Sequence, residues 1–260
     1  MKKIYALMAT LMVSGLTACQ TPSGKADQTE FSYPGEISPL SQLIRIEFKE
    51  IPESDLSIRS RFIAKTGSSQ LSDEERYYHA KVSSEQEDGN VRIETKISSG
   101  SFNGKPFSYD LNINELVSSN GEVMKVNYSG ADAETDQVDN TRRLVLFQPR
   151  RDQSNPETPA DLYPFPVSGF SPTFHKQVSR TLIGKELTGM LSLAGEVLFD
   201  GRKALLFKIS GNSDSHSIQG YQILDMENGH ILKSREYLRY KGGILNVDVT
   251  STEEFTLTIK

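Results

Sequence analysis

The 260-residue chain has no tryptophan, one cysteine and only four histidines. A lone cysteine closes no intrachain disulfide and builds no thiolate metal site, so the fold must rest on packing. Neither sign of charge dominates: 29 Lys+Arg stand against 34 Asp+Glu, a formal net charge of −5. Without a basic surplus or a Lys/Arg run, the chain has nothing to recruit a phosphate backbone, and no nucleic acid is expected as partner. The motifs of common enzymes are missing as well. There is no Gly-x-Ser-x-Gly, Ser-x-x-Lys, His-Glu-x-x-His, Cys-x-x-Cys or phosphate-binding glycine loop. What is present is enough for a core: 36% of residues are apolar or aromatic, among them 12 Phe and 10 Tyr.

The first nineteen residues carry an address. Lys2 and Lys3 form a basic start, the apolar stretch Ile4 to Leu16 is too short for a stable transmembrane helix, and small residues follow. This is the pattern of an export signal. Leu16-Thr17-Ala18-Cys19 then resembles, at all four positions, the lipobox of bacterial lipoproteins. That resemblance implies a diacylglyceryl thioether on Cys19 and cleavage between Ala18 and Cys19. A thiol is the side chain nucleophilic enough for the reaction. Removal of residues 1–18 takes Lys2 and Lys3 with it, leaving 27 basic residues against 34 acidic, a net charge of −7. Several acyl chains on one residue anchor firmly, at about 0.8 kcal/mol per buried methylene. Gln20 follows the cysteine, and in Gram-negative lipoproteins the absence of Asp there implies delivery to the outer membrane. The expected organisation is a signal peptide over 1–18, a polar tether over 19–35, and a single β domain over 36–260.

Within that domain apolar residues recur with period two. Ile44, Ile46 and Phe48 alternate with Arg45 and Glu47; Val91, Ile93 and Ile97 with Arg92, Glu94 and Lys96. Phe107, Tyr109, Leu111 and Ile113 give the cleanest case, and Phe255, Leu257 and Ile259 repeat it at the end. These are half-buried strands. Ala204 to Phe207 with Ile209 is apolar on both faces, as for a central strand covered twice. Val178 to Leu191 can be drawn as a helical face, but Gly184 and Gly189 interrupt it, and Leu187, Gly189, Leu191, Leu193, Val197 and Phe199 alternate, so strands are expected. Ser72-Asp73-Glu74-Glu75 matches a capping box, and Arg76 to Ala80 can add one or two helical turns.

Turn chemistry agrees. Asp88-Gly89-Asn90, Asn120-Gly121 and Asn228-Gly229 separate alternating runs, with Gly121 and Gly229 expected at positive φ. The last two share Asn-Gly-x-apolar-apolar-Lys, a match consistent with an internal duplication but better explained by generic hairpin chemistry. Between the halves, 148–172 holds six of the eleven prolines and forms a crossover, with 36–147 and 160–260 as the alternative pair of small domains.

Chemistry-bearing clusters are few. His79, His175, His216 and His230 are scattered; His216 or His230 could meet Asp214 or Asp225, although histidines beside turns are usually just solvated. Asp132, Glu134, Asp136 and Asp139 imitate a calcium loop but place Gln137 and Arg143 where glycine and a bidentate carboxylate belong. Arg142, Arg143, Arg150 and Arg151 are more simply paired with those acids. No metal site, cofactor or catalytic residue is expected, and the chain is not expected to be an enzyme.

With a lipobox, a tether and about ten alternating strands, the chain resembles the half-barrel carriers of the lipoprotein-localisation (LolA/LolB-like) fold group. Residues 195–240, with Phe199-Asp200-Gly201-Arg202, Gln219-Gly220-Tyr221 and Asp225-Met226-Glu227-Asn228-Gly229, also resemble β-rich bacterial lipoproteins. The expected fold is mainly β, a curved antiparallel sheet or incomplete barrel with Asn-Gly hairpins and at most one or two short helices. The expected role is that of a lipid-anchored envelope lipoprotein, at the periplasmic face of the outer membrane, acting as a non-catalytic interaction or scaffold module. Its partners are the membrane, through the anchor at Cys19, and an envelope protein. The alternative is a carrier that holds a lipid or other hydrophobic ligand in an open barrel.

Overall fold

Alternation of apolar and polar residues produces strands, and here it produces little else. The computed structural model describes residues 32–119, 123–131, 169–243 and 246–260. Eleven antiparallel strands run in chain order: β1 Ser54–Thr66, β2 Ser69–Glu87, β3 Asn90–Phe102, β4 Lys105–Ser118, β5 Val123–Ser129, β6 His175–Leu182, β7 Lys185–Phe199, β8 Arg202–Asn212, β9 His216–Asp225, β10 Ile231–Gly242 and β11 Val247–Thr258. They form one curved, unclosed sheet in the order β5-β4-β3-β2-β1-β11-β10-β9-β8-β7-β6. The first and last strands meet in the middle of the sheet, Ile58 opposite Phe255 and Leu56 opposite Leu257. The edges, β5 and β6, come from the middle of the chain. Strands from 36–147 and from 160–260 therefore belong to a single sheet.

Turn residues fix the registers. Asp88-Gly89, Asn103-Gly104, Ile183-Gly184 and Asp200-Gly201 are two-residue loops with both residues at positive φ, between 47° and 79°. That is the type I′ hairpin, whose twist matches that of its strands. Gly229 sits at φ 76° in the β9–β10 turn, as the sequence implies. Asn120-Gly121 lies outside the described residues.

The run Ala204 to Phe207 is fully buried on both faces of β8, as expected. The region 178–191 forms the β6–β7 hairpin. The region 72–80 departs from its capping-box pattern: it lies within β2, and no helix occurs among the described residues. Cross-strand partners decide the matter, because Arg59 and Arg61 of β1 bind Glu75 and Asp73 from the neighbouring strand. The adjacent Tyr77 and Tyr78 also favour a pleated surface.

Residues 44–48 are a second departure. Ile46 and Phe48 are buried and Arg45 and Glu47 exposed, so the alternation is real, but the segment joins no ladder. It is a strap. Tyr33 and Ile37 pack on the outer face of the sheet, against Tyr221, Leu206 and Val197. Ser38 then bridges Glu196 on the stretch of β7 that β6 leaves uncovered. Ile44 bridges Phe170, and Ile46, Phe48 and Ile51 enter the main core on the inner face. The strap thus crosses from one face to the other around the edge of β7.

Inner-face residues of all eleven strands but β5 contribute buried side chains to that core, including Ile58, Tyr78, Ile97, Ile113, Leu191, Phe207 and Phe255. Val126 and Tyr128 of β5 pack against it. At about 25 cal/mol per Å² of apolar surface removed from water, this face is the main source of stability.

Candidate functional site

Curvature concentrates between β6 and β10, and small residues permit it. Gly189 of β7 and Gly211 of β8 face each other, and a Cβ on Gly211 would lie 2.4 Å from the Thr188 carbonyl and 2.7 Å from Ile218 Cγ2. Gly220 of β9 lies opposite Glu236 of β10, with Glu236 Cγ 3.2 Å from where a Cβ would sit. Across these glycines β6 folds over β10. Arg180 Nε donates to Glu236 Oε2 at 2.6 Å and Arg180 Nη2 to Oε1 at 2.7 Å. Strands four places apart in the sheet are thereby joined, which identifies this face as the concave one.

The pair is a buried bidentate fork, with side-chain exposures of 13% for Arg180 and 1% for Glu236. Burial works against the guanidinium charge, but attraction to Glu236, its hydrogen bonds and the more distant Glu253 outweigh this and raise the Arg180 pKa. Removing one partner of such a pair strands the other charge in a medium that solvates it poorly.

The ladder places further polar groups in line with this pair. Reading sideways across the concave face, Gly220, Glu236, Glu253, Ser60, Arg76 and Phe102 are successive cross-strand neighbours on β9, β10, β11, β1, β2 and β3. A belt of charge crosses a mainly apolar surface. Arg76 stands 5.6 Å from the centre of the Phe102 ring and 3.8 Å from Glu74, at the exposed end of the belt. One layer further in, toward the strap, the row is Gln222, Ser234, Phe255, Ile58 and Tyr78. Gln222 Nε2 donates to Glu236 Oε1 at 3.3 Å. Gln222 Oε1 and Ser234 Oγ, both fully buried, have no hydrogen-bond partner.

The strap closes the far end of the curl. Phe48 N donates to Ser119 O and Lys49 N to Asn228 O, each at 3.0 Å. His230 Nε2 donates to Lys49 O at 2.8 Å, the carbonyl being able only to accept. The His230 ring packs on Phe48, centroids 4.3 Å apart. Burial pushes its pKa from 6.5 down to about 4, against smaller opposing effects of the Lys49 carbonyl and Asp225. Beside it Phe170, Phe174 and Phe207 form a T-shaped cluster with centroids 5.1 to 5.8 Å apart.

The residues singled out in the sequence scatter. Cys19, Ala18, Gly121, the acidic stretch 132–139 and Arg142, Arg143, Arg150 and Arg151 lie outside the described residues. His216 and His230 stand at opposite ends of β9 and β10: His216 Nδ1 lies 2.7 Å from Ser213 Oγ at the surface, while His230 is buried by the strap. His79 meets only Tyr77, at 3.0 Å, and His175 the Thr173 carbonyl. Asp225 is engaged by Arg202 at 2.7 Å. Among the described residues no group of three or more His, Cys, Asp or Glu could hold a metal ion. The belt was not anticipated: its members lie on six strands from Ser60 to Glu253, and only the register brings them together.

The class so defined is an open, curled antiparallel sheet with a self-filled concave face. No protein-family model matches the chain, and no curated protein does. Among solved structures, a DUF1329 family protein from Desulfovibrio piger is similar, with 9% identity and a TM-score of 0.20, covering 80% of this chain and 86% of that one. A likeness at that score bears on no functional question.

Proposed function

We propose that this chain is a bacterial envelope lipoprotein, acylated on Cys19 and held at the periplasmic face of the outer membrane, whose β body is a non-catalytic interaction or scaffold module. The anchor rests on the Leu16-Thr17-Ala18-Cys19 match. The observation that carries the role of the body is the filling of its curl. Ile46, Phe48, Phe170 and Phe174 from the strap and the 169–174 segment occupy the concave end of β6–β10, filling with the chain's own side chains much of the space a large carried ligand would need there. The sheet edges remain for partners. Among the described residues β5 pairs only with β4, and β6 only with β7. An edge strand binds an extended segment through its main chain and needs no pocket.

The test has two arms. Replacing Cys19 with Ser is expected to abolish radiolabelled palmitate incorporation and release the body from membranes; labelling that persists overturns the anchor. A photo-crosslinking residue at exposed Gln177 in β6 is expected to trap a discrete envelope protein, whereas the same residue at exposed Arg235 on the outer face of β10 is not. If instead the chain yields a reproducible apolar adduct on organic extraction and no edge crosslink, it is the carrier of a hydrophobic ligand, the reading favoured by the apolar concave lining on the β1–β5 side.

A further inference from the structure

Two buried polar atoms in the curl demand a partner the chain does not provide. Glu236 can only accept, so it fixes which end of the Gln222 amide faces it: the NH2 group points to Glu236, and Oε1 is turned away. Ser234 is the direct cross-strand neighbour of Gln222, on the same face. Its Oγ is fully buried and equally unpartnered. Leaving a buried carbonyl and hydroxyl unsatisfied carries the full desolvation cost of each, and native interiors largely avoid it. Phe255 lies beside Ser234, and the Arg180–Glu236 fork lies one layer out.

We propose that Gln222 Oε1 and Ser234 Oγ form a binding site for one hydroxyl group, which donates to the amide oxygen and accepts from the serine hydroxyl. The chemistry is specific. A carbonyl oxygen requires a donor, and a group that gives one hydrogen bond while taking another is O–H. Its sources are an ordered water or the hydroxyl of an organic guest entering past the belt. Either guest acts as a keystone: it holds the Gln222 amide in the orientation that braces Glu236, and Glu236 holds β6 to β10. The site stands independently of the proposed anchor and edge interactions.

The test uses the full-length chain purified in detergent, with a crystal structure and thermal melts of the parent, Ser234→Ala, Gln222→Met and the double variant. An ordered oxygen within 2.6–3.2 Å of both atoms is expected. Ser234→Ala is expected to lose that density and to lower Tm by about 2–4 °C. The two single changes are expected to be non-additive, because the guest couples them. Native mass spectrometry separates the sources: an unmodified chain mass identifies water, and a reproducible organic adduct lost in Ser234→Ala identifies a ligand hydroxyl. The proposal is overturned if Ser234 Oγ donates directly to Gln222 Oε1 with no third atom present. It is equally overturned if the site is empty and Ser234→Ala raises Tm, as removal of an orphaned hydroxyl should.

Discussion

The two flanks of the sheet handle charge in opposite ways. On the β1–β5 side most of the ion pairs lie on the outer, wet face. Arg59–Glu75 at 2.5 Å has side-chain exposures of 60% and 38%, and Arg61–Asp73 at 2.9 Å has 52% and 30%. Lys81–Asp55 and Arg92–Glu87 are similarly placed. On the β6–β10 side two acids are almost wholly buried, each gripped by an arginine: Glu236 on the concave face and Asp225 on the outer face, while Arg239–Asp248 on β10 and β11 stays partly exposed. Long hairpins on the first flank need only their registers and an apolar inner face. The curl must in addition hold an edge strand against a strand four places away, and a directional, desolvated fork does that where contact between aliphatic side chains would leave the angle free.

If this contrast is right, cutting the buried fork has the largest effect. Arg180→Ala is expected to destabilise by about 3–5 kcal/mol, because it leaves Glu236 charged and unpaired among Gln222, Gly220 and Leu238. Arg180→Met with Glu236→Leu, which removes both charges and refills the volume, is expected to recover most of that loss. Urea melts of the three chains check it; equal instability of the double variant would mean that the fork is not what closes the curl.

Acid should attack the same flank first. His230 is neutral in the fold with its pKa near 4, whereas in the unfolded chain it takes a proton below about 6.5. The unfolded state therefore binds more protons between those values, and stability falls as pH drops from about 6.5 toward 4, by about 3 kcal/mol in all. The carboxylates held down by cationic partners, Asp55, Asp73, Glu87 and Asp248, act at lower pH. Their contribution is present above the ordinary carboxylate pKa and lost below it. Melts from pH 7 to 5 thus isolate His230, and His230→Gln should flatten the slope there while keeping a donor toward Lys49 O.

The β6–β7 turn sharpens the comparison at a smaller scale. Four type I′ loops are built alike, but three begin with Asp or Asn and the β6–β7 loop begins with Ile183, at φ 47° and half exposed. A β-branched residue is strained in that region by about 1–2 kcal/mol. Ile183→Asn is expected to stabilise by about 1 kcal/mol, measured by the same denaturant melts.

What the sequence made legible follows from what alternation encodes. Phe107 to Ile113, Phe255 to Ile259 and the doubly covered Ala204 to Phe207 declare both strand and inner face, because the inward side chains are apolar. In β10 the inward residues are Ser234, Glu236 and Leu238 and the outward ones Arg235, Tyr237 and Arg239, so composition gives no clue to which face is buried. Hence the belt was invisible. Arg180 and Glu236 are 56 residues apart, and nothing local to either announces the other. The capping-box pattern at Ser72 and the strap at Ile44 to Phe48 misled for a related reason. Local pattern specifies what a segment prefers, while the strand beside it, or the lack of one, specifies what it becomes.

The smallest expected effect is the control that gives the largest its meaning. Arg61 and Asp73 meet in a bidentate geometry as good as that of Arg180 and Glu236, with Nε–Oδ1 at 3.0 Å and Nη2–Oδ2 at 2.9 Å. They differ from the inner pair in solvent, not in shape. Water screens the attraction and resolvates whichever partner is left, so Asp73→Ala should cost only about 0.2–1 kcal/mol, and less in high salt. A double-mutant cycle on Arg61 and Asp73, set beside the one on Arg180 and Glu236, reads the contribution of burial directly. Equal coupling energies in the two cycles would show that geometry alone sets the strength of these forks, and that the inward turn of charge in β6–β10 has no special hold on the curl.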